Sequence, residues 1–334
     1  MQWGPLVSFG SRISLARRKP VNKILSDRRT IATFVLPALL VFVFVAIVPL
    51  FITGYYSLFE YNGFSTMTYT GADNYVRLFT GDALFSASLK NTLILIIGSV
   101  FVQIPLAFLI ANKLAKGVPG EKTFRTIYFI PVVIANTVIG KLFYYVFSAD
   151  AGLINAVIRL FRLPALFENN LEWLGWHTGW LSGRFNWLTN PRTAFYCVAF
   201  VAIWKFIGYH MLILYSGIKS IPSDYYEAAM IDGATGAKAT WHITIPLLSP
   251  VIKTCVILAT VGSVQTYDIV VAMVGSGTHS NTQVPAILLW RNLFKGRLVG
   301  YGSAQAFFLV IVCLVVSYLI TLLFKKSDEN AAMQ

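Results

Sequence analysis

Long apolar stretches alternate with shorter polar segments along most of the chain. Each stretch holds enough nonpolar residues to form a helix of about 30 Å, at about 1.5 Å per residue, and so to cross the hydrocarbon core of a bilayer. The pattern therefore predicts an all-α, polytopic membrane protein with six transmembrane helices. The predicted spans are residues 31–56, 91–111, 126–147, 194–216, 245–271 and 304–324.

The composition supports this prediction and decides how the net charge is interpreted. Of the 334 residues, 56% are hydrophobic and 12% are charged, whereas a soluble domain carries about 25% charged residues. The formal net charge is +13, but many basic residues lie beside apolar stretches, where they set orientation and meet anionic lipid. We therefore expect membrane lipid as a partner and no nucleic acid. The cysteines, Cys197, Cys255 and Cys313, show no metal-ligand spacing.

The distribution of basic residues also predicts the topology. No charged residue occurs between Arg29 and Glu60, and this run is longer than the core of a signal peptide, about 7–15 residues, so we predict an uncleaved first span. Pro49 lies deep within that span and should kink it. Lys and Arg are denser on the N-terminal side of the membrane, which predicts cytoplasmic N- and C-termini. The predicted organisation is a basic segment at 1–30, a six-span domain at 31–326 and a tail at 327–334.

Residues 221–250, which we call the knob, form a polar segment rich in small residues between the fourth and fifth predicted spans. Ser223 and Asp224 can cap a helix that starts near Tyr225, and Gly233 and Gly236 can end it. A second short helix is predicted from about 238 to 244. The charge distribution places this helix-turn-helix projection on the cytoplasmic side.

The sequence contains no motif that would hydrolyse ATP. The stretch from Gly233 to Lys238 lacks the GxxxxGK[ST] spacing of a phosphate-binding loop, and HExxH, CxxC and GxSxG are absent. The residues therefore give no support for an enzyme, and any energy from ATP must come from another protein.

The knob resembles the EAA signature of permease subunits of bacterial ABC sugar importers, of the maltose and glycerol-3-phosphate type. The resemblance rests on Glu227-Ala228-Ala229, Gly233, Ile243 and Ile245-Pro246, and it extends from about residue 36 to 326. The sequence departs from the family at Gly275-Ser276-Gly277, where the family often has Gly-Gly-Pro. It also carries a longer Trp-rich stretch, 165–187, to which no role is assigned.

The resemblance implies a type I importer permease fold in the bacterial cytoplasmic membrane, with a coupling helix in the knob. It implies that the chain moves a carbohydrate inward by alternating access and binds no cofactor itself. The implied partners are a second homologous permease subunit, an ATPase dimer that carries ATP and Mg²⁺, and an extracytoplasmic solute-binding protein. The residues implied in docking the ATPase are Tyr226, Glu227, Ala228, Ala229, Asp232, Gly233, Ala234 and Pro246.

Polar groups within membrane spans are costly, and are therefore candidates for the substrate path. Gln265, Tyr267 and Asp268 fall within one turn of the predicted fifth span and combine hydrogen-bonding groups with an aromatic face, which suits a sugar. Structural roles compete with this interpretation, in particular an ion pair between Asp268 and Lys205 and a helix–helix contact through Gln103. The candidates are Gln103, Lys205, His210, Gln265, Tyr267 and Asp268.

Three alternatives stay open at this point. An acidic or phosphorylated solute is one, since Lys205 and His210 would suit an anion. An ion-coupled secondary transporter is another, although it should carry carboxylates at mid-membrane, and Asp268 is the one acidic residue placed within a predicted span. A membrane enzyme or scaffold is the third, and no nucleophile–base set supports it.

Overall fold

The computed structural model describes residues 28–64, 66–161, 185–275 and 280–332, and the chain divides into two units, Met1–Ile52 and Thr53–Gln334. In the first unit, helix α1 (Arg28–Phe42) leads through a π-helical turn (Val43–Ile47) into α2 (Val48–Tyr56), which enters the second unit. The predictions for residues 1–27, for most of the Trp-rich stretch and for 276–279 lie outside the described residues.

The second unit is built from helices and one small hairpin. In chain order after α2 these are β1 (Phe59–Glu60), β2 (Thr68–Tyr69), α3 (Asp73–Thr80), α4 (Ala83–Gly98), α5 (Ile104–Ala115), α6 (Glu121–Val133), α7 (Asn136–Val146), α8 (Leu153–Leu160), α9 (Ala194–Lys219), α10 (Ser223–Ile231), α11 (Ala237–Ala239), α12 (Ile245–Leu247), α13 (Ser249–Val264), α14 (Asp268–Val274), α15 (Pro285–Trp290) and α16 (Val299–Ala332). A single 3₁₀ turn, Ser280–Thr282, precedes α15 among the described residues.

Six apolar segments are present among the described residues, but two of them are bent. Four helices are long and apolar enough to cross a membrane: Ile31–Tyr56, Ala83–Ala115, Ala194–Lys219 and Val299–Lys325. The third predicted span consists of α6 and α7, which meet at 94°, and the fifth begins as Ala237–Leu247 and turns by 70° into α13. The all-α, six-span prediction is confirmed if each bent pair is one span.

Three prolines are preceded by π-helical turns, whereas Pro37 and Pro131 lie inside α1 and α6 without one, and a further π-helical turn, Arg291–Lys295, has no proline after it. Proline has no N–H to offer the carbonyl four residues earlier, and its ring collides with that carbonyl in a regular helix. A π-helical turn centred on that carbonyl widens the helix there, and the residue before the proline bonds five residues back instead of four. The pairs are Val43–Ile47 with Pro49, Ser99–Gln103 with Pro105, and Thr240–Thr244 with Pro246. The disturbance predicted at Pro49 takes this form.

The fifth span is not the continuous helix predicted over 245–271. Helix α13 ends at Val264, and Asp268 opens the next helix, so Gln265 and Tyr267 lie in the break. An acidic residue in the first turn is stabilised by the positive end of the helix dipole, which favours a new start at Asp268. The prediction that these three candidates share one helical turn is therefore wrong.

The two-stranded hairpin is fixed to the start of the last span. Strands β1 and β2 pair antiparallel, with Phe59 opposite Tyr69. The N–H of Gly300 donates to the carbonyl of Tyr61 at 3.0 Å. A Cβ atom on Gly300 would lie 1.9 Å from the carbonyl oxygen of Phe59, so only glycine allows this approach of helix and strand.

Helix α9 is the centre of the second unit. Its N-terminal half shares one apolar cluster with α4, α7, α14 and α15, and its C-terminal half shares another with α5 and α13. At Gly208 the helix lies directly against the backbone of α6, since a Cβ there would fall 1.8 Å from the carbonyl oxygen of Tyr128. Close backbone contacts of this kind, at small residues, hold membrane helices together by packing.

We expect Gly208→Ala and Gly262→Ala to change stability in opposite directions. The methyl group at 208 collides with backbone, and overpacking of this kind costs about 1–3 kcal/mol. A Cβ at Gly262, within α13, meets nothing within 4 Å, so alanine there should be neutral or stabilising by up to about 1 kcal/mol through helix propensity. Thermal unfolding of the purified transporter measures both. Equal melting temperatures for the two variants would contradict this account of α9.

Candidate functional site

Helix α10 of the knob starts earlier than predicted. It begins at Ser223, and Pro222 occupies the N-cap position with an extended backbone. The hydroxyl of Ser223 donates to Asp224 Oδ1 at 3.4 Å instead of capping a helix N–H, so the predicted side-chain cap is wrong. Proline fits this position because the first N–H groups of a helix have no partner within it. Asp224 still lies in the first turn, where it complements the helix dipole.

The end of α10 is a Schellman motif built on Gly233. The N–H of Ala234 donates to the carbonyl of Ala229 at 2.8 Å, and the N–H of Gly233 donates to the carbonyl of Met230 at 3.2 Å. Gly233 has φ of +73°, and a Cβ added there would meet nothing within 4 Å in this chain. The predicted role of Gly233 in ending the helix is therefore confirmed, and its requirement within the chain is conformational.

The predicted docking residues lie on different sides of the knob. Glu227, Ala228, Asp232 and Pro246 are exposed, as is Gly233, whereas Ala234 and Tyr226 are half-buried. Ala229 is buried within the chain, so its small side chain serves packing of the knob and leaves Ala228 to face outward.

The sequence analysis missed three apolar side chains on the same surface. Ile231 is 88% exposed, Trp241 69% and Met230 57%. Apolar residues within a polar loop were the signal available, and together they give the knob exposed apolar surface.

The knob is connected to the spans by side-chain hydrogen bonds. The hydroxyl oxygens of Tyr226 and Thr244 lie 3.1 Å apart, and Thr244 belongs to the π-helical turn that precedes Pro246. Asn112, near the end of α5, donates to Thr240 Oγ1 at 3.4 Å. Hydrogen bonds thus connect α10 to the π-helical turn before Pro246, and that turn to the end of α5.

Three of the substrate-path candidates line one cavity of about 250 Å³. Gln103 Nε2 lies 2.7 Å from His210 Nδ1, and both side chains are almost fully buried. Gln265, exposed at the break after α13, lines the same cavity. The predicted helix–helix contact through Gln103 is thus present, and it faces the cavity. The cavity also receives hydroxyl groups from Ser99, Ser263 and Thr266.

Lys205 donates hydrogen bonds to polar groups at the break between α6 and α7. Its side chain is 2% exposed, and Nζ donates to the carbonyl of Ile134 at 2.8 Å and to Asn136 Oδ1. Asn136 Nδ2 in turn donates to Asp268 Oδ2 at 3.3 Å. The suggested ion pair between Lys205 and Asp268 is not formed in the described residues, because Asn136 stands between them.

The other three substrate-path candidates lie outside the 250 Å³ cavity. Lys205 and Asp268 belong to the network around the broken third span, and Tyr267 packs against the apolar cluster around α9. Asn136 was missed by the sequence analysis. A polar amide two residues after an extended Ile134, downstream of Pro131, was the signal for a helix restart at this point. No cluster of three His, Cys, Asp or Glu side chains suited to a metal occurs in the described part of the chain.

Comparisons with known proteins agree with this architecture. Residues 103–328 match the family model described as binding-protein-dependent transport system inner membrane component. The probable ABC transporter permease protein YurN of Bacillus subtilis is 31% identical over 89% of this chain and 96% of its own length. The xylose/arabinose import permease protein XacH of Haloferax volcanii is 29% identical over 79% of each chain.

A solved bacterial ABC transporter that imports the acidic polysaccharide alginate has a chain of the same fold. Its TM-score to this chain is 0.71 at 22% identity, with 91% of this chain and 98% of that chain covered. The chain thus has the fold of an ABC importer permease. It belongs to the family of binding-protein-dependent transport system inner membrane components. It is a membrane-embedded permease subunit of an ABC transporter, which sets aside the ion-coupled transporter and the membrane enzyme or scaffold.

We expect Lys205 and Asn136 to be energetically coupled. Asn136→Leu leaves a buried ammonium with one partner fewer, which costs about 3–5 kcal/mol. Lys205→Met leaves a carbonyl and an amide unpaired, at about 1–3 kcal/mol each. The double variant should melt at a higher temperature than Asn136→Leu alone, because no buried charge is left over. Thermal unfolding of the purified complex tests this, and simple additivity of the two single changes would exclude the network.

Proposed function

We propose that the chain is the permease subunit of a carbohydrate importer, moving its solute inward as two permease subunits alternate between outward- and inward-open states. The observation that carries this proposal is α10, an exposed helix held rigidly between two spans of a chain without a nucleotide-binding motif. A helix of this kind can transmit a rigid-body movement of a separate ATPase to the membrane spans. Family membership and a relative whose name gives xylose and arabinose import support the carbohydrate.

The proposed assembly follows from the distribution of surfaces. An ATPase dimer, which holds ATP and Mg²⁺, docks on the knob through Glu227, Ala228 and Asp232, and Ile231 supplies apolar contact. The knob and both chain ends then face the cytoplasm of a bacterial cell, in line with the density of basic residues. A second, homologous permease completes the pathway, and a solute-binding protein delivers the carbohydrate on the opposite face.

The surface chemistry supports this docking mode. Ala228 is exposed and small, so another protein's backbone can approach α10 closely. Glu227 and Asp232 flank it as exposed carboxylates, which a basic side chain of the ATPase would pair. A charge pair that is shielded at the contact fixes its register, which is needed where a rigid-body movement is transmitted.

Gly233 offers a test of the knob. We expect Gly233→Val to reduce ATP-driven uptake strongly, because a β-branched residue is strained at φ of +73° and opens the Schellman motif, at a cost of about 1–2 kcal/mol. Gly233→Asn should keep most of the activity, since asparagine tolerates the left-handed region. The measurement is uptake and ATP hydrolysis by the full transporter in proteoliposomes.

Gly117 supplies the matched control for this test. It also has a left-handed backbone, at φ of +81°, and a Cβ there would meet nothing within 4 Å, but it lies outside α10. Gly117→Val should leave uptake far less affected than Gly233→Val. Normal uptake by Gly233→Val would remove the knob from the mechanism.

The 250 Å³ cavity favours a neutral carbohydrate over an acidic or phosphorylated solute. Its lining combines amides, hydroxyl groups and His210 with the aromatic rings of Phe206 and Tyr209, and none of the described lining residues is Lys, Arg, Asp or Glu. Such a set matches hydroxyl groups and sugar faces. Lys205, the cation that would favour an anionic solute, donates its hydrogen bonds to Ile134 and Asn136.

We expect Gln265→Leu to raise the KM for uptake of the transported carbohydrate by up to about tenfold, the value of one neutral hydrogen bond of about 0.5–1.5 kcal/mol. Thr254→Val, on the exposed side of α13 and outside the cavity, is the control and should change little. Uptake is measured with a panel of neutral and acidic saccharides. Transport of acidic saccharides alone would overturn the neutral assignment while leaving the permease function intact.

A further inference from the structure

A second cavity, of about 400 Å³, lies behind the knob and is separate from the substrate cavity. It is enclosed by the end of α5, the end of α9, helix α10 and the π-helical turn before Pro246. The side chains that matter for its chemistry are Lys116, Lys219, Ile221, Tyr226, Met230 and Thr240. Glu227, Ala228, Ile231 and Asp232, through which the ATPase is proposed to dock, do not line this cavity, and it shares no lining residue with the 250 Å³ cavity. Tyr226 and Ala234, which the family resemblance also implies in docking, line it from the knob side.

The lining of this cavity is mostly apolar and carries two lysines. The buried Ile218, the half-buried Ile221 and the exposed Met230 contribute apolar surface, and the exposed Lys116 and Lys219 lie at the ends of two different helices. None of the described residues that line the cavity is an aspartate or glutamate. Two carboxylates lie in neighbouring elements: Asp224 accepts from Ser223, and Glu121 accepts from Tyr215 and is also attracted electrostatically by Lys219.

The position of the cavity restricts what can enter it. Helices α5 and α9 belong to membrane spans and end at Ala115 and Lys219, so the opening lies at the boundary between hydrocarbon and water. A ligand at this level with an apolar body and a negatively charged head would match both parts of the lining. Free inorganic anions would match the two lysines but leave the apolar lining uncovered.

We propose that this cavity binds one anionic phospholipid, with its phosphate between Lys116 and Lys219 and the start of an acyl chain against Ile221 and Met230. The proposal rests on the orientation given above, which places the cavity at the anionic inner leaflet. The lipid fills the space between α10 and the ends of two spans. It therefore restricts movement of the knob relative to these spans. The position of α10 through which the ATPase acts on the spans is stabilised as a result.

The experiment uses the full transporter, purified in detergent and titrated with phosphatidylglycerol or, separately, with phosphatidylcholine. Thermal unfolding and native mass spectrometry give the affinity and the number of bound lipids. We expect phosphatidylglycerol to bind and stabilise, and the double change Lys116→Gln and Lys219→Gln to weaken its binding about 30-fold, since each lysine near an anionic headgroup contributes a factor of about five.

The matched control is Lys113→Gln with Lys122→Gln, which removes the same charge from exposed positions in the last turn of α5 and the first turn of α6, outside the cavity. This variant should bind phosphatidylglycerol like the wild type. Equal weakening in both double variants, or equal binding of the two lipids to the wild type, would overturn the site. Inorganic phosphate is titrated in parallel, and full protection by phosphate alone would assign the lysines to a soluble anion and refute the lipid.

A cavity-filling variant keeps the test decisive if the lysine variant folds poorly. Ala239→Phe places an aromatic ring into the cavity without changing charge, and it should abolish the bound lipid in native mass spectrometry. Retention of the lipid by this variant would contradict the proposal. Because lipid binding is measured without transport, its failure is distinguishable from failure of the proposed function, which the Gly233 variants test through uptake.

Discussion

Backbone polar groups have no water to bond with inside a bilayer, and this constraint governs the break in the third span. At the break between α6 and α7 the carbonyl of Ile134 has lost its helical donor, and the buried ammonium of Lys205 replaces it. The same ammonium would be prohibitively costly there without that carbonyl and Asn136. The cation and the break therefore depend on each other, and α9 supplies the cation at the point where Gly208 brings it against α6.

The prolines extend this principle along the other spans. Each of three prolines is preceded by a π-helical turn centred on the carbonyl that the proline cannot serve. Two of these turns carry residues of the candidate site. Gln103, in one turn, lines the 250 Å³ cavity, and Thr244, in another, forms a hydrogen bond with Tyr226 of the knob. At these two positions the irregular backbone lies next to a cavity or the knob, whereas the turn at Val43–Ile47 does not.

The knob combines a rigid attachment with an exposed surface. Helix α10 ends in the Schellman motif at Gly233 and is hydrogen-bonded to the fifth span through Tyr226 and Thr244. Its Ala229 side chain is buried within the chain. Rigidity of this kind is what allows a small element to carry a displacement without dissipating it. Through the cavity that carries Lys116 and Lys219, the proposed anionic phospholipid would stabilise the position of the knob.

Pattern and composition alone determined the apolar segments, the all-α class, the knob and the role of Gly233, because hydrophobic length and the backbone preference of glycine are local properties. The EAA resemblance added the family. Tertiary structure alone decided where the third and fifth spans break, which separated Gln265 and Tyr267 from the helix that Asp268 begins. It also placed Asn136 between Lys205 and Asp268, and turned Ala229 inward while Ala228 faces out. The hydrogen bonds of Asn136 join residues up to 132 positions apart, and the sequence does not specify them locally, because they arise only when α7, α9 and α14 pack together.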